Sequence, residues 1–105
     1  MSRYYANHPE RTAETSWKSK GINLTVEQYM ALYASQEGRC AICALVRPTF
    51  GNGRKGLAPD HCHETGVIRG LLCFRCNTAL GVFGDSAKGL ERAMHYLTRE
   101  PPPLL

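Results

Sequence analysis

Two Cys-x2-Cys pairs, Cys40/Cys43 and Cys73/Cys76, two short extended segments between them and amphipathic helical patterns on either side predict an α+β fold, a small metal-stapled domain with flanking helices. A chain of 105 residues suits one domain rather than two. At this size folding buries a modest share of the surface, so a loop-rich domain commonly needs a staple. The five cysteines are odd in number and spaced in pairs, and no charged-then-apolar leader opens the chain. Both features speak against a secreted disulfide scaffold and for a reducing, cytoplasmic setting.

From Met1 to about Lys20 the residues mix Asn, His, Pro, Glu, Thr and Ser with a few aromatics and hold no period, so residues 1–20 are expected to form a weakly ordered arm. Residues 21–100 form the expected domain and 101–105 a C-terminal tail. Thr25 followed by Gln28 is a capping box, and Val26, Tyr29, Met30, Leu32 and Tyr33 fall at helical spacing, predicting a helix to about Gln36. Gly38 stands where a helix C-cap falls and turns the chain into Cys40-Ala41-Ile42-Cys43. Arg47 to Gly56, with Pro48, Gly51, Asn52, Gly53 and Gly56, reads as a flexible loop. Leu57–Glu64 and Val67–Leu72 are two extended candidates joined by Thr65-Gly66, which suits a tight hairpin. A helix over Cys73–Phe83 follows. Asp85 or Ser86 can cap a last helix with Leu90, Ala93, Met94 and Leu97 in an apolar stripe, ended before Pro101.

The two cysteine pairs are separated by 29 residues, somewhat more than in a usual zinc ribbon. Two residues between cysteines let one tight turn present both sulfurs to one ion, and zinc favours four thiolates in a tetrahedron. Such a site has no open position for water, so this zinc would be structural. The other readings are a redox Cys-x-x-Cys and buried unpaired cysteines; two matched pairs argue against both. Cys62, between two histidines, is expected to be a small buried core residue.

Asp60-His61-Cys62-His63 lies between the pairs, and Asn77 follows the last cysteine. On a strand His61 and His63 share a face. Asp60 would then point with Cys62, away from His61, unless a bulge near Pro59 breaks the alternation. Hard oxygens on Asp60 and Asn77 suit magnesium, which takes few protein ligands. A second structural metal site, or exposed polar residues on a strand, would also account for the histidines.

Charge adds little. Lys and Arg number 13 against 9 Asp and Glu, a net charge of +4 with an isoelectric point near 8.9. A mild basic bias permits a polyanionic partner without demanding one, and a mixed-charge solvated surface explains it equally. No apolar run approaches the roughly 18 residues of a membrane span.

The run DHCHETGVIRGLLCFRCNTALG, with CAIC upstream, resembles the recombination endonuclease VII branch of the HNH nucleases. The likeness covers about Gly38 to Phe83. It implies a ββα-metal domain that cuts DNA, duplex or branched, with Zn2+ as structural ion and Mg2+ or Mn2+ as catalytic ion. It further implies Asp60 and Asn77 as ligands of the catalytic cation, His61 as general base and His63 as a residue positioning phosphate or the base. Arg69 and Arg75 are the nearest cations and could hold the DNA backbone, although ordinary surface arginine explains them as well. Small proteins of this kind are frequent in phage genomes, which implies action in a host cytoplasm. Two departures stand out. Leu80 occupies a position where some members carry an acidic residue, and the chain lacks the length of the junction-resolving members whose helices intertwine two subunits. Neither a homodimer nor junction specificity is therefore carried over. The competing reading is a non-catalytic zinc module that binds nucleic acid, which has no need to align Asp60, His61 and Asn77.

Overall fold

The computed structural model describes residues 9–50 and 55–104. The order of elements is α1 (Pro9–Ser19), α2 (Val26–Ser35), β1 (Ala58–His61), β2 (Ile68–Leu72), α3 (Phe74–Val82) and α4 (Ala87–Thr98). The two strands form one antiparallel sheet, so the fold is α+β as expected.

Helix α2 forms where its sequence signals place it. The Thr25 hydroxyl accepts from the Gln28 N–H at 3.1 Å, and the Gln28 side chain accepts from the Thr25 N–H at 2.9 Å. At its other end Gly38 takes the left-handed conformation expected of it, at φ 69°, and Glu37 before it does so too, at φ 54°. Glu37 and Gly38 donate to the Ala34 and Tyr33 carbonyls, so the stop spreads over both residues.

Residues 1–20 are not simply a weakly ordered arm. Residues 9–19 form α1, and residues 1–8 lie outside the described residues. One aromatic anchor explains the helix: Trp17 is buried and stacks on Tyr29 with ring centroids 5.1 Å apart. Glu14 also accepts from the Val26 N–H at 3.2 Å, tying α1 to the start of α2. Ala13, one turn before Trp17, also packs against the core, so this polar helix has one small apolar face.

The loop expected over Arg47–Gly56 is also partly anchored. Phe50 packs on Tyr29 at 4.6 Å, its N–H donates to the Tyr29 hydroxyl, and that hydroxyl donates to the Leu57 carbonyl at 2.7 Å. Residues 51–54 lie outside the described residues. Tyr29, 0% exposed, is the centre of a core that includes Trp17, Ile22, Leu24, Leu57, Leu71, Leu72, Cys40 and Cys73.

The strands are shorter than expected, and Cys62 to Val67 form the connection rather than Thr65-Gly66 alone. Cys62 and Val67 close it by backbone hydrogen bonding, and Gly66, at φ 77°, donates to the Cys62 carbonyl at 2.7 Å. Cys62 is half-buried in this turn and is not a core residue. The hydroxyl and N–H of Thr65 and the N–H of Glu64 face its sulfur and hold its pKa below the usual thiol value.

Pro59 pairs with Leu71 in the register. A proline has no N–H for the ladder, and Leu71 spends its own backbone groups on the opposite side. Its N–H donates to Gln36 Oε1 at 2.9 Å, and its carbonyl accepts from Gln36 Nε2 at 3.0 Å and from the Ala41 N–H at 3.1 Å. The end of α2 and the first cysteine turn thereby cover the free edge of β2. Gln36→Ala removes two of these bonds, and its stability to urea in saturating zinc should fall by about 1–3 kcal/mol with zinc content unchanged.

Candidate active site

The four sulfurs of Cys40, Cys43, Cys73 and Cys76 lie within 4.8 Å of one another. Tetrahedral zinc with bonds of about 2.3 Å requires sulfurs about 3.8 Å apart, and Cys43 and Cys73 stand 3.8 Å apart. The four cysteines are free thiols rather than disulfides, and they fit a structural zinc site.

Local backbone geometry builds each half. Between Cys40 and Cys43 the chain turns tightly: Cys40 accepts from the Ala44 N–H at 3.0 Å, and Ala44 sits at φ 63°. Cys73 is the N-cap of α3, which puts Cys76 one helical turn beyond it. Charge makes the set dependent on a cation. Burial raises the Cys40 pKa, but the N–H groups of Cys43, Cys73 and Ile42 outweigh it and bring the thiol to about 6. Burial and the three neighbouring sulfurs push Cys76 up to about 12. At neutral pH the Cys76 thiol therefore gives up its proton only to a positive ion.

On the other side of β1 stands a polar cluster. The register slips between Asp60 and His61: Asp60 pairs with Gly70 and His61 with Ile68, leaving Arg69 as the extra residue of a bulge on β2. The irregularity falls one residue later than Pro59 and its extra residue is on the partner strand, so the alternation it breaks is that of β2. His61 and His63 lie with ring centroids 4.7 Å apart. Asp60 is only 8% exposed. Arg69 donates from Nε to Asp60 Oδ2 at 2.7 Å and from Nη2 to Asp60 Oδ1 at 3.0 Å.

Arg69 also reaches a residue that sequence reasoning placed elsewhere. Its Nη2 donates to Asp85 Oδ1 at 2.6 Å, and His63 Nε2 lies 3.9 Å from Asp85 Oδ2. Ser86 alone caps α4, accepting from the Gly89 N–H at 3.1 Å. Asp85 instead takes φ 54° in the turn after α3 and faces the hairpin. Its pKa is lowered by the hydrogen bond from Arg69, with smaller help from His63 and His61. The two carboxylates raise that of Arg69 above the usual guanidinium value. The Gly84-Asp85-Ser86 run signals a turn but not what the turn faces.

Arg75 and Asn77 lie in the first turns of α3, exposed, on a helix that packs against both strands. Neither joins the hydrogen bonds of the Asp60 carboxylate. Leu80 is half-buried against the core. The Asp60 carboxylate and the Asn77 amide both carry hard oxygen donors, and the Arg69 guanidinium stands on the former.

A family model described as recombination endonuclease VII matches residues 14–99. The chain is 44% identical over 95 residues to the Gene 59 protein of Mycobacterium phage D29, covering 86% of this chain and 54% of the relative. It is 39% identical over 107 residues to the Gene 59 protein of Mycobacterium phage L5, covering 94% of this chain and 62% of the relative. The chain thus spans little more than half the length of these relatives. No solved structure matches it. Among the described residues no helix is long and apolar enough to cross a membrane.

Zinc must displace thiol protons from this cluster. Its apparent affinity, measured by competition with a chromophoric chelator, should therefore fall about tenfold or more per pH unit from pH 7 to 5. Cys76→Ser should lose the cooperative thermal transition; a melt near the wild-type temperature would contradict a stapling role for the cluster.

Proposed function

We propose that this chain, which belongs to the recombination endonuclease VII family, is a metal-dependent DNA endonuclease of the HNH, ββα-metal type that hydrolyses phosphodiester bonds in duplex or branched DNA. The observation that supports the reading is the pair of neighbouring imidazoles, His61 and His63, that follows the buried Asp60 on a bulged hairpin against which the helix bearing Asn77 packs. A strand that served only to hold zinc has no use for that irregularity.

Asp60 and Asn77 would hold Mg2+ or Mn2+. Such a cation supplies a positive centre that polarises the phosphoryl oxygen and steadies the leaving oxygen. His61 is the general base, since a half-buried imidazole can accept a proton from the attacking water. His63, exposed at the turn and beside His61, would hold phosphate or orient that base. Arg75 projects from the start of α3 and would contact the DNA backbone, a position that fixes register without reading sequence. The relatives come from phages, which supports action in the cytoplasm of a bacterial host.

One observation favours the second reading, a non-catalytic zinc module that binds nucleic acid: the Asp60 carboxylate is already neutralised by Arg69. Cleavage separates the two. With Mg2+ or Mn2+ the zinc-loaded protein should nick supercoiled plasmid. His61→Ala should keep its zinc and its melt while nicking at least about 10²-fold more slowly. Wild-type protein that binds DNA but leaves plasmid, four-way junction, flap and single strand uncut establishes the binding module.

A further inference from the structure

Arg69 holds a place that ordinary β alternation would not give it. As the extra residue of the bulge it lies beside Asp60 rather than opposite a partner, and its guanidinium reaches both oxygens of that carboxylate. Asp60 has a side chain 10% exposed, against 37% for Arg69 and 22% for Asp85. Arg69 is thus the most exposed of the three side chains, and its guanidinium occupies both oxygens of the least exposed one. Its outer edge is held by Asp85, in the turn between α3 and α4.

From this arrangement we infer that Arg69 is a built-in placeholder cation, which neutralises Asp60 until a divalent cation displaces it, while Asp85 retains the freed guanidinium. The inference rests on the reading of Asp60 as a cation ligand. Three features support it. A carboxylate that is 8% exposed cannot be left unpaired without a large desolvation cost, so something positive must sit on it before the ion arrives. Arginine remains charged in this setting, unlike histidine, so the seat is kept at any physiological pH. A guanidinium has separate donors for separate partners, so the contact with Asp85 can persist after the contact with Asp60 breaks.

Competition for one carboxylate has a measurable sign. A positive group beside the ion repels it, and removing that group strengthens ion binding even though a hydrogen bond is lost. An arginine that merely orients Asp60 gives the opposite result, because an unheld carboxylate is a poorer ligand. The two roles therefore separate in binding of the ion alone, without DNA or catalysis.

The test titrates Mn2+ into zinc-loaded, DNA-free protein and follows the free ion by electron paramagnetic resonance. Arg69→Gln should bind Mn2+ at least about tenfold more tightly than wild type, and Arg69→Lys, which keeps the charge but loses the fork, should fall between them. Asp85→Asn should bind more weakly, since Arg69 then rests on Asp60 alone. Zinc content and a cooperative melt verify folding; if Arg69→Gln fails to fold, tighter binding by Arg69→Lys carries the test. Equal or weaker binding by the folded Arg69 variants overturns the placeholder while leaving Asp60 a ligand, provided Asp60→Asn abolishes the site. Mn2+ binding that Asp60→Asn leaves unchanged, or no Mn2+ binding by any of the proteins, removes the ligand assignment and the placeholder with it.

Discussion

Four sulfur atoms bring together pieces of chain that have little else in common. Cys40 and Cys43 lie in the turn after α2, and Cys73 and Cys76 at the junction of β2 with α3. An isolated two-stranded hairpin is at best marginally stable in water, and among the described residues this sheet has two strands. The cluster anchors one end of the hairpin to α2, and the Gln36 and Ala41 contacts to Leu71 then hold its outer edge. Structural zinc contributes on the order of 10 kcal/mol or more in small peptide systems, which is comparable with the whole stability of a small domain, about 5–15 kcal/mol. The aromatic stack of Trp17, Tyr29 and Phe50 forms the other half of the support and buries the far side of α2.

On that frame the irregularity between Asp60 and His61 acquires its meaning. A regular ladder would alternate the two side chains across the sheet. The bulge shifts the register on the partner strand and inserts Arg69 there, so a buried carboxylate receives a partner from its own hairpin. The same guanidinium ties the hairpin to the turn that starts α4. One side chain thus joins three elements, while its more exposed pair with Asp85 is of a kind that generally contributes little to stability. Its positional consequence outweighs its energetic one.

Helix α4 behaves differently. Its apolar stripe, Leu90, Ala93, Met94 and Leu97, suggests a core-facing helix, yet Leu97 is 80% and Met94 56% exposed. Val82, Phe83, Tyr96 and Leu97 line an open apolar groove between α3 and α4. Among the described residues nothing covers it. Burial has to be measured in three dimensions; periodicity reports only that a helix has one apolar face.

Local chemistry was legible in the residues alone. The capping box at Thr25, the cysteine turns, the hairpin and the order of helices depend on neighbours within a few positions, and such interactions are written in the sequence. Contacts between distant segments were not. The docking of Trp17 and Phe50 on Tyr29, the left-handed turn that aims Asp85 at the hairpin, and the capture of Asp60 by Arg69 each require knowing which surfaces meet. The sequence named aspartate, histidines and asparagine as a polar constellation; only the tertiary structure decided that a guanidinium stands on the aspartate and that a second carboxylate faces it, because charge pairing depends on distance through space rather than along the chain.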